Sequence, residues 1–134
     1  MGNHILVIED NQANSDMILH ILRTAGYEMR HFGTGLEGAK DARRDHPRLI
    51  LMDFNLPDVD GRTLALVLKQ QLGDRHAPPI IACTARAGEQ ETKLAAKFGC
   101  SAMIRKPFST DELVDVVKRF IGEPSASLLS SEDS

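Results

Sequence analysis

Four short apolar segments of the chain each end in polar residues, and this repeated arrangement most restricts the fold. Residues 5–8, 49–52, 80–83 and 102–104 are rich in Ile, Leu and Val or similar apolar side chains, which is typical of strands buried on both faces. They lead into, respectively, Glu9 and Asp10, Asp53, Thr84, and Lys106 with Pro107. If the segments are neighbouring parallel strands, three acids, a hydroxyl and an ammonium group surround one crevice, where open α/β sheets bind ligands.

Stretches with helical periodicity lie between these segments. Apolar residues at helical spacing precede Gly26, Gly73 and Gly99, and residues 34–37 and 109–112 resemble capping boxes that open two further helices. A fifth, more polar strand is expected over residues 28–32, at the outside of the sheet. The pattern predicts an α/β fold of the flavodoxin-like (βα)5 type, with a five-stranded parallel sheet of order 2-1-3-4-5 and helices on both faces.

Length and composition set the class of protein. The 134 residues suit one domain, which we expect over residues 1–122, followed by a Ser-rich disordered tail or linker stub over 123–134. A net charge of -3 argues against a direct nucleic-acid partner. No apolar stretch approaches the roughly 20 residues of a membrane span, and the N-terminus lacks signal-peptide features, so we expect a cytoplasmic protein. The two cysteines are expected to be free thiols, and the five histidines lack metal-ligand spacing.

The acids at the strand ends predict a cation site. Glu9 and Asp10 follow the first strand, and Asp53 follows the strand expected beside it, about 4.8 Å away. Carboxylates at so short a distance raise one another's pKa or require a cation between them. Their hard oxygen ligands suit Mg²⁺, which favours a phosphate as a further ligand. Lys106 supplies a compact positive charge and Thr84 a hydroxyl donor, so an oxyanion on Asp53 could be held between them.

The chain resembles the receiver domain of two-component response regulators, the superfamily that includes CheY. Four motifs carry the resemblance in the family's order and spacing: residues 8–11 (IEDN), 51–57 (LMDFNLP) with Gly61, 84–85 (TA) and 106–108 (KPF). Each motif is weak alone, but together they are specific, and the resemblance covers roughly residues 4–121. It implies a phosphorylation switch of a phosphorelay, a signalling protein rather than an enzyme, which assists its own Asp phosphorylation and dephosphorylation.

The resemblance also implies roles for single residues. Asp53 matches the acid that accepts a phosphoryl group from a phosphohistidine on a sensor histidine kinase or histidine phosphotransfer protein. Glu9, Asp10, Asp53 and the main-chain carbonyl of Asn55 match the ligands of Mg²⁺, or Mn²⁺ in its place. Thr84 and Lys106 match the residues that meet the phosphoryl group. A downstream protein target would dock on the face formed by the fourth and fifth helices and the fifth strand, and weak pairing of two copies is an open alternative.

Several positions near Thr84 and Lys106 are expected to modulate the switch. Met103 stands where many receivers carry an aromatic residue that responds to movement of the threonine; a flexible thioether can still pack there. Asn55 lies two residues beyond Asp53, and Arg86 lies two residues beyond Thr84. In the family, residues at these two positions influence how fast the phosphoryl group is lost. Ala85 and Pro107 flank the site, and the chain must bend sharply at Pro107, where a proline permits a cis peptide bond.

Four other functions compete with a stand-alone phosphorylation switch. The chain could be the receiver module of a hybrid sensor histidine kinase. An aspartyl-nucleophile phosphatase would also use Asp53, although such enzymes commonly need a second acid where Asn55 stands. A flavin-binding electron carrier shares the fold, but no Ser/Thr/Gly-rich loop follows the first strand to hold a flavin phosphate. An unphosphorylated docking module would not need the intact set of acids.

Overall fold

Five parallel strands alternate with five helices in a computed structural model that describes residues 3–73, 77–85 and 88–124. The strands are β1 (Ile5–Ile8), β2 (Met29–Phe32), β3 (Leu49–Asp53), β4 (Ile80–Thr84) and β5 (Ala102–Arg105). The helices are α1 (Gln12–Thr24), α2 (Gly35–Arg44), α3 (Gly61–Leu72), α4 (Glu89–Lys97) and α5 (Thr110–Ile121). All strand pairs are parallel, in the order β2-β1-β3-β4-β5. The predicted flavodoxin-like fold is therefore confirmed.

The sheet separates two hydrophobic clusters, because successive side chains along a strand point to opposite faces. Ile5 and Val7 of β1 pack with α1 and α5 on one face, whereas Leu6 and Ile8 pack with α2, α3 and α4 on the other. Every residue of β1, β3 and β4 is buried, which explains their continuous apolar sequences. The outer strand β2 is only half-buried along its length, as its mixed sequence predicts.

The helix boundaries follow most of the sequence signals. Gly26 lies just beyond α1 with a φ of 100°, a conformation that favours glycine, and Ser109 forms a complete capping box with Glu112 at the start of α5. At α2 the capping box is only half formed. The Thr34 hydroxyl oxygen accepts a hydrogen bond from the Glu37 amide. The Glu37 carboxylate accepts one from the Thr34 hydroxyl, whereas a complete capping box would have it accept from the Thr34 amide.

Helix α4 is present, as the sequence predicts, but few of its residues are buried. Ala95 is the buried residue within the helix, and Thr92 and Ala96 are exposed. The side chains of Ala and Thr are small, so they fix the orientation of a helix against a sheet weakly. Helix α4 is therefore the least buried of the five helices as the structure describes them.

Two further expectations concern features away from the sheet. Both cysteines are free and buried, and burial raises the pKa of Cys83 to about 12 and that of Cys100 to about 11, as suits structural thiols. In the described part of the chain no helix is long and apolar enough to cross a membrane. Residues 125–134 of the expected tail lie outside the described residues, and the tail's disorder stays a prediction.

Candidate functional site

Three carboxylates meet where β1 and β3 end. In the sheet register Ile8 lies beside Met52, so the residues that follow them, Glu9 and Asp53, become neighbours. One carboxylate oxygen from each of Glu9, Asp10 and Asp53 lies within 4.8 Å of the others. Glu9 and Asp53 are buried and Asp10 is exposed, so the cluster opens to solvent on one side. The expected meeting of these acids is found.

Lys106 brings its charge between two of these acids. Its Nζ lies 2.6 Å from Glu9 Oε1 and 3.3 Å from Asp53 Oδ2, and its side chain is mostly buried. Burial raises the pKa of Glu9, and Asp53 adds to the rise, although the hydrogen bond from Lys106 opposes it. Burial by itself would lower the pKa of Lys106, but its contacts with Glu9 and Asp53 outweigh it and raise that pKa.

Backbone groups fix the orientation of the carboxylates. The Asn55 amide donates to Asp53 Oδ1 at 3.0 Å, and the Asn11 amide donates to Glu9 Oε2 at 3.2 Å. The segment after Asp53 closes on itself through an isolated β-bridge between Asn55 and Asp60. Asp53 therefore points into the crevice with one oxygen held by the backbone and the other directed towards Lys106.

The residues expected to modulate the site lie on β4 and β5 and the segments after them. Thr84 is buried at the end of β4, and its carbonyl accepts from the Lys106 amide at 2.8 Å. The peptide bond between Lys106 and Pro107 is cis. Met103 is half-buried and packs against the cluster that contains α2, α3 and α4. Ala85 is exposed, as is Pro107, and Arg86 lies outside the described residues.

Two residues that the sequence analysis did not assign also support the site. Both oxygens of Asp58, in the segment after β3, accept at 2.9 Å from the first two amides of α2, those of Gly35 and Leu36. His31 on β2 places its Nε2 2.8 Å from the carbonyl oxygen of Glu9. No local sequence signal identifies these contacts, since both join residues more than twenty positions apart.

The donor set fits a small divalent cation such as Mg²⁺. Three carboxylates share the crevice with one ammonium group, so the local charge is incompletely offset, and one of the acids is open to water. Mg²⁺ prefers a few carboxylate oxygens and keeps several waters, which matches a cluster exposed on one side.

Comparison with known proteins gives consistent relatives. The sequence profile of the response regulator receiver domain matches residues 5–118. The polar-differentiation response regulator DivK of Brucella ovis is 35% identical over 123 residues, which span 92% of this chain and 99% of that protein. DivK of Brucella anthropi is 34% identical with the same coverage.

Solved structures give the same picture. The receiver domain of sensor histidine kinase PA1611 from Pseudomonas aeruginosa PAO1 is 33% identical with a TM-score of 0.80, covering 92% of this chain and 100% of that one. It was crystallised with a magnesium ion coordinated in its active site cleft. A putative response regulator from Chloroflexus aurantiacus J-10-fl is 28% identical with a TM-score of 0.82 and the same coverage.

Proposed function

The chain belongs to the response regulator receiver domain family of two-component signalling, and from that premise we propose that it is a switch controlled by phosphorylation of Asp53. The phosphoryl donor is a phosphohistidine on a sensor histidine kinase or a histidine phosphotransfer protein. The phosphorylated form differs in conformation and in its affinity for a downstream protein. Glu9, Asp10, Asp53 and the Asn55 carbonyl hold Mg²⁺, or Mn²⁺ in its place.

One observation carries this proposal: the ammonium of Lys106 lies between Glu9 and Asp53 in a cluster of three carboxylates. Buried like charges are costly, and a fold retains them where they have a task. Glu9 and Asp53 each have one oxygen held by a backbone amide and the other near Lys106, and the contact of Asp53 with Lys106 is the longer of the two, 3.3 Å against 2.6 Å. Of these two acids, Asp53 is the one that matches the phosphorylated acid of the family. Such a carboxylate is aligned for nucleophilic attack, and its surroundings suit a dianionic phosphoryl group.

Phosphoryl transfer needs little covalent chemistry from the protein itself. A carboxylate oxygen of Asp53 attacks phosphorus, the bond from phosphorus to the donor nitrogen breaks, and the electron pair of that bond stays on the imidazole. Lys106 offsets charge on the transferring oxygens, and the hydroxyl of Thr84 donates to one of them. A bound Mg²⁺ supplies further positive charge at these oxygens.

The signal depends on two conformations that interact differently with the new charge. Phosphorylation adds about -1.5 to -2 charge units to the site. Thr84 is buried at the end of β4, next to the weakly packed α4, so a shift of Thr84 towards the phosphoryl group would be passed to that helix. Met103 is half-buried and would pack into the space that is vacated. The downstream protein would read the face formed by α4, β5 and α5.

The proposal is tested by phosphorylation with a small donor. Full-length protein is incubated with acetyl phosphate and MgCl₂, and its intact mass is measured. We expect the gain of one phosphoryl group, lost in Asp53→Asn and in the presence of excess EDTA. Asp115→Asn is the matched control, because it removes the same charge from an exposed acid on α5 that does not belong to the carboxylate cluster. Absence of any mass gain in the unsubstituted protein would refute the proposal.

A second candidate, the receiver module of a hybrid histidine kinase, is favoured by the match to the PA1611 receiver. The two candidates share the chemistry at Asp53 and differ in what surrounds the receiver. Phosphotransfer profiling with purified histidine phosphotransfer proteins tests the second candidate, which requires that phosphorylated Asp53 passes its group on to such a protein. An aspartyl phosphatase is not favoured, since an amide stands at Asn55.

A further inference from the structure

A small cavity adjoins the carboxylate cluster on the side of α3 and α4. Its volume is about 50 Å³, and it is lined by Phe54, Asn55, Arg62, Thr84 and Glu91. Phe54 and Asn55 follow Asp53 directly, and Thr84 ends the neighbouring strand. The cavity therefore adjoins the proposed phosphorylation site where β3 and β4 end, between these strand ends and the first turns of α3 and α4.

The size and lining of the cavity suit water. A polar cavity needs about 10–15 Å³ to hold one water molecule and two to four polar partners for it. Four of the five lining residues carry polar side chains. Water is the reactant that removes a phosphoryl group from an aspartyl phosphate, so a hydrated cavity beside Asp53 bears on how long that group persists.

Two side chains of opposite charge face this cavity from different helices. Arg62 is in the first turn of α3, where its amide donates to Asp60 Oδ1 at 2.8 Å and its Nε lies 3.4 Å from the same oxygen. Glu91 is in the first turn of α4 and is half-buried, although its neighbours in sequence are exposed. Arg62 pairs with Asp60, Glu91 forms no ion pair within residues 3–73, 77–85 and 88–124, and both side chains line the cavity.

We propose that Arg62 and Glu91 form the outer wall of this cavity and set the rate at which water reaches the phosphoryl group on Asp53. This inference rests on the proposed function and concerns the return of the switch to its resting form. In that step a water oxygen bonds to phosphorus, and the bond between phosphorus and the Asp53 oxygen breaks. Asp53 leaves as a carboxylate, and the water protons remain with the inorganic phosphate. Arg62 and Glu91 are positioning residues, because they act through the access of water.

The experiment measures the lifetime of the phosphoryl group in the full chain. Protein labelled with acetyl phosphate is freed from the donor by rapid desalting, and the labelled fraction is followed by intact mass at fixed Mg²⁺. We expect Arg62→Gln, which keeps the backbone bond to Asp60, to shorten the lifetime by about threefold or more, since the cavity opens to solvent. Glu91→Gln should shorten it less. Arg43→Gln, on α2 and bonded to Gln71, is the control and should leave it unchanged.

A conservative variant separates a cavity wall from a general effect on stability. Arg62→Lys, which keeps a long cationic side chain at this position, should retain most of the original lifetime, whereas Arg62→Ala should not. An unchanged or longer lifetime in Arg62→Gln would overturn this inference while leaving phosphorylation of Asp53 intact. Failure of the unsubstituted protein to take up any phosphoryl group would overturn the proposed function, and this inference with it.

Discussion

Replacement of Lys106 by Met removes the ammonium between two buried carboxylates and keeps a side chain of similar length. Lys106 Nζ lies 2.6 Å from Glu9 Oε1 and 3.3 Å from Asp53 Oδ2. In a metal-free solution the variant would leave Glu9 and Asp53 facing each other with no cation between them. We expect the free energy of unfolding to fall by about 3 kcal/mol at neutral pH, the lower end of the cost of removing one partner of a buried ion pair.

Protonation limits this loss and makes it depend on pH. Two carboxylates in a poorly solvated site need not both stay ionised, because one can take up a proton. The ordinary pKa of a Glu side chain such as Glu9 is 4.5. At 1.36 kcal/mol per pH unit, its protonation at pH 7 therefore costs about 3.4 kcal/mol, which is the upper limit of the loss. The substitution raises the pKa of Glu9 in the folded state further above its pKa in the unfolded chain. The loss of stability is therefore present at neutral pH and disappears as the pH falls towards the pKa of the unfolded chain. At about pH 5.5 the loss of stability should not exceed about 1.4 kcal/mol.

Urea unfolding followed by circular dichroism measures this difference. Unsubstituted protein and Lys106→Met are compared at pH 7 and about pH 5.5 in the presence of EDTA, which removes divalent cations. Lys40→Met, at an exposed position on α2, serves as the control and should change stability by less than about 0.5 kcal/mol. Equal stability of Lys106→Met and the unsubstituted protein at neutral pH, or a deficit that grows on acidification, would refute the electrostatic reasoning.

Two further predictions concern the backbone near the site and a buried histidine. In Gly61→Ala the new Cβ would lie 2.6 Å from Phe54 Cα and 2.9 Å from the Asp53 carbonyl oxygen, both of which are backbone atoms. We therefore expect the free energy of unfolding, measured with urea, to fall by about 1–3 kcal/mol. An unchanged urea midpoint would contradict this. Burial, with the nearby charge of Arg30, lowers the pKa of His4 below 6.5. The unfolded chain then binds a proton that the folded one does not, so stability should fall below about pH 6.5 by up to 1.4 kcal/mol per unit. His4→Leu should lack this part of the pH profile, and an identical profile would disprove the assignment.

The fold could be predicted because its signals are local. Continuous apolar segments mark the strands that are buried on both faces, and a residue such as Gly26 or Ser109 marks a helix end through its own backbone or side chain. The meeting of Glu9, Asp10 and Asp53 followed from strand order, since the ends of adjacent parallel strands lie at one edge of a sheet. These inferences needed no side-chain detail.

Other parts of the site depend on tertiary packing and could not be predicted. Asp58 reads as an ordinary loop acid in the sequence, and its bonds to the start of α2 exist only because the helix lies against that loop. Glu91 reads as a solvated residue in the first turn of a helix, and its half-burial depends on how α4 sits beside α3. The sparse burial of α4 could not be predicted either, because Ala and Thr occur on buried and exposed faces alike.

The bonds from Asp58 to α2 and the sparse packing of α4 give the crevice two walls of unequal stiffness. On one side, the segment after Asp53 is closed by the Asn55–Asp60 bridge and fastened to a second helix. On the other side, α4 contributes a single buried residue, Ala95, to the core. A conformational change that begins at Asp53 would therefore displace α4 more easily than the segment after β3. The structural response to a change at Asp53 would then be concentrated on the α4 side of the crevice.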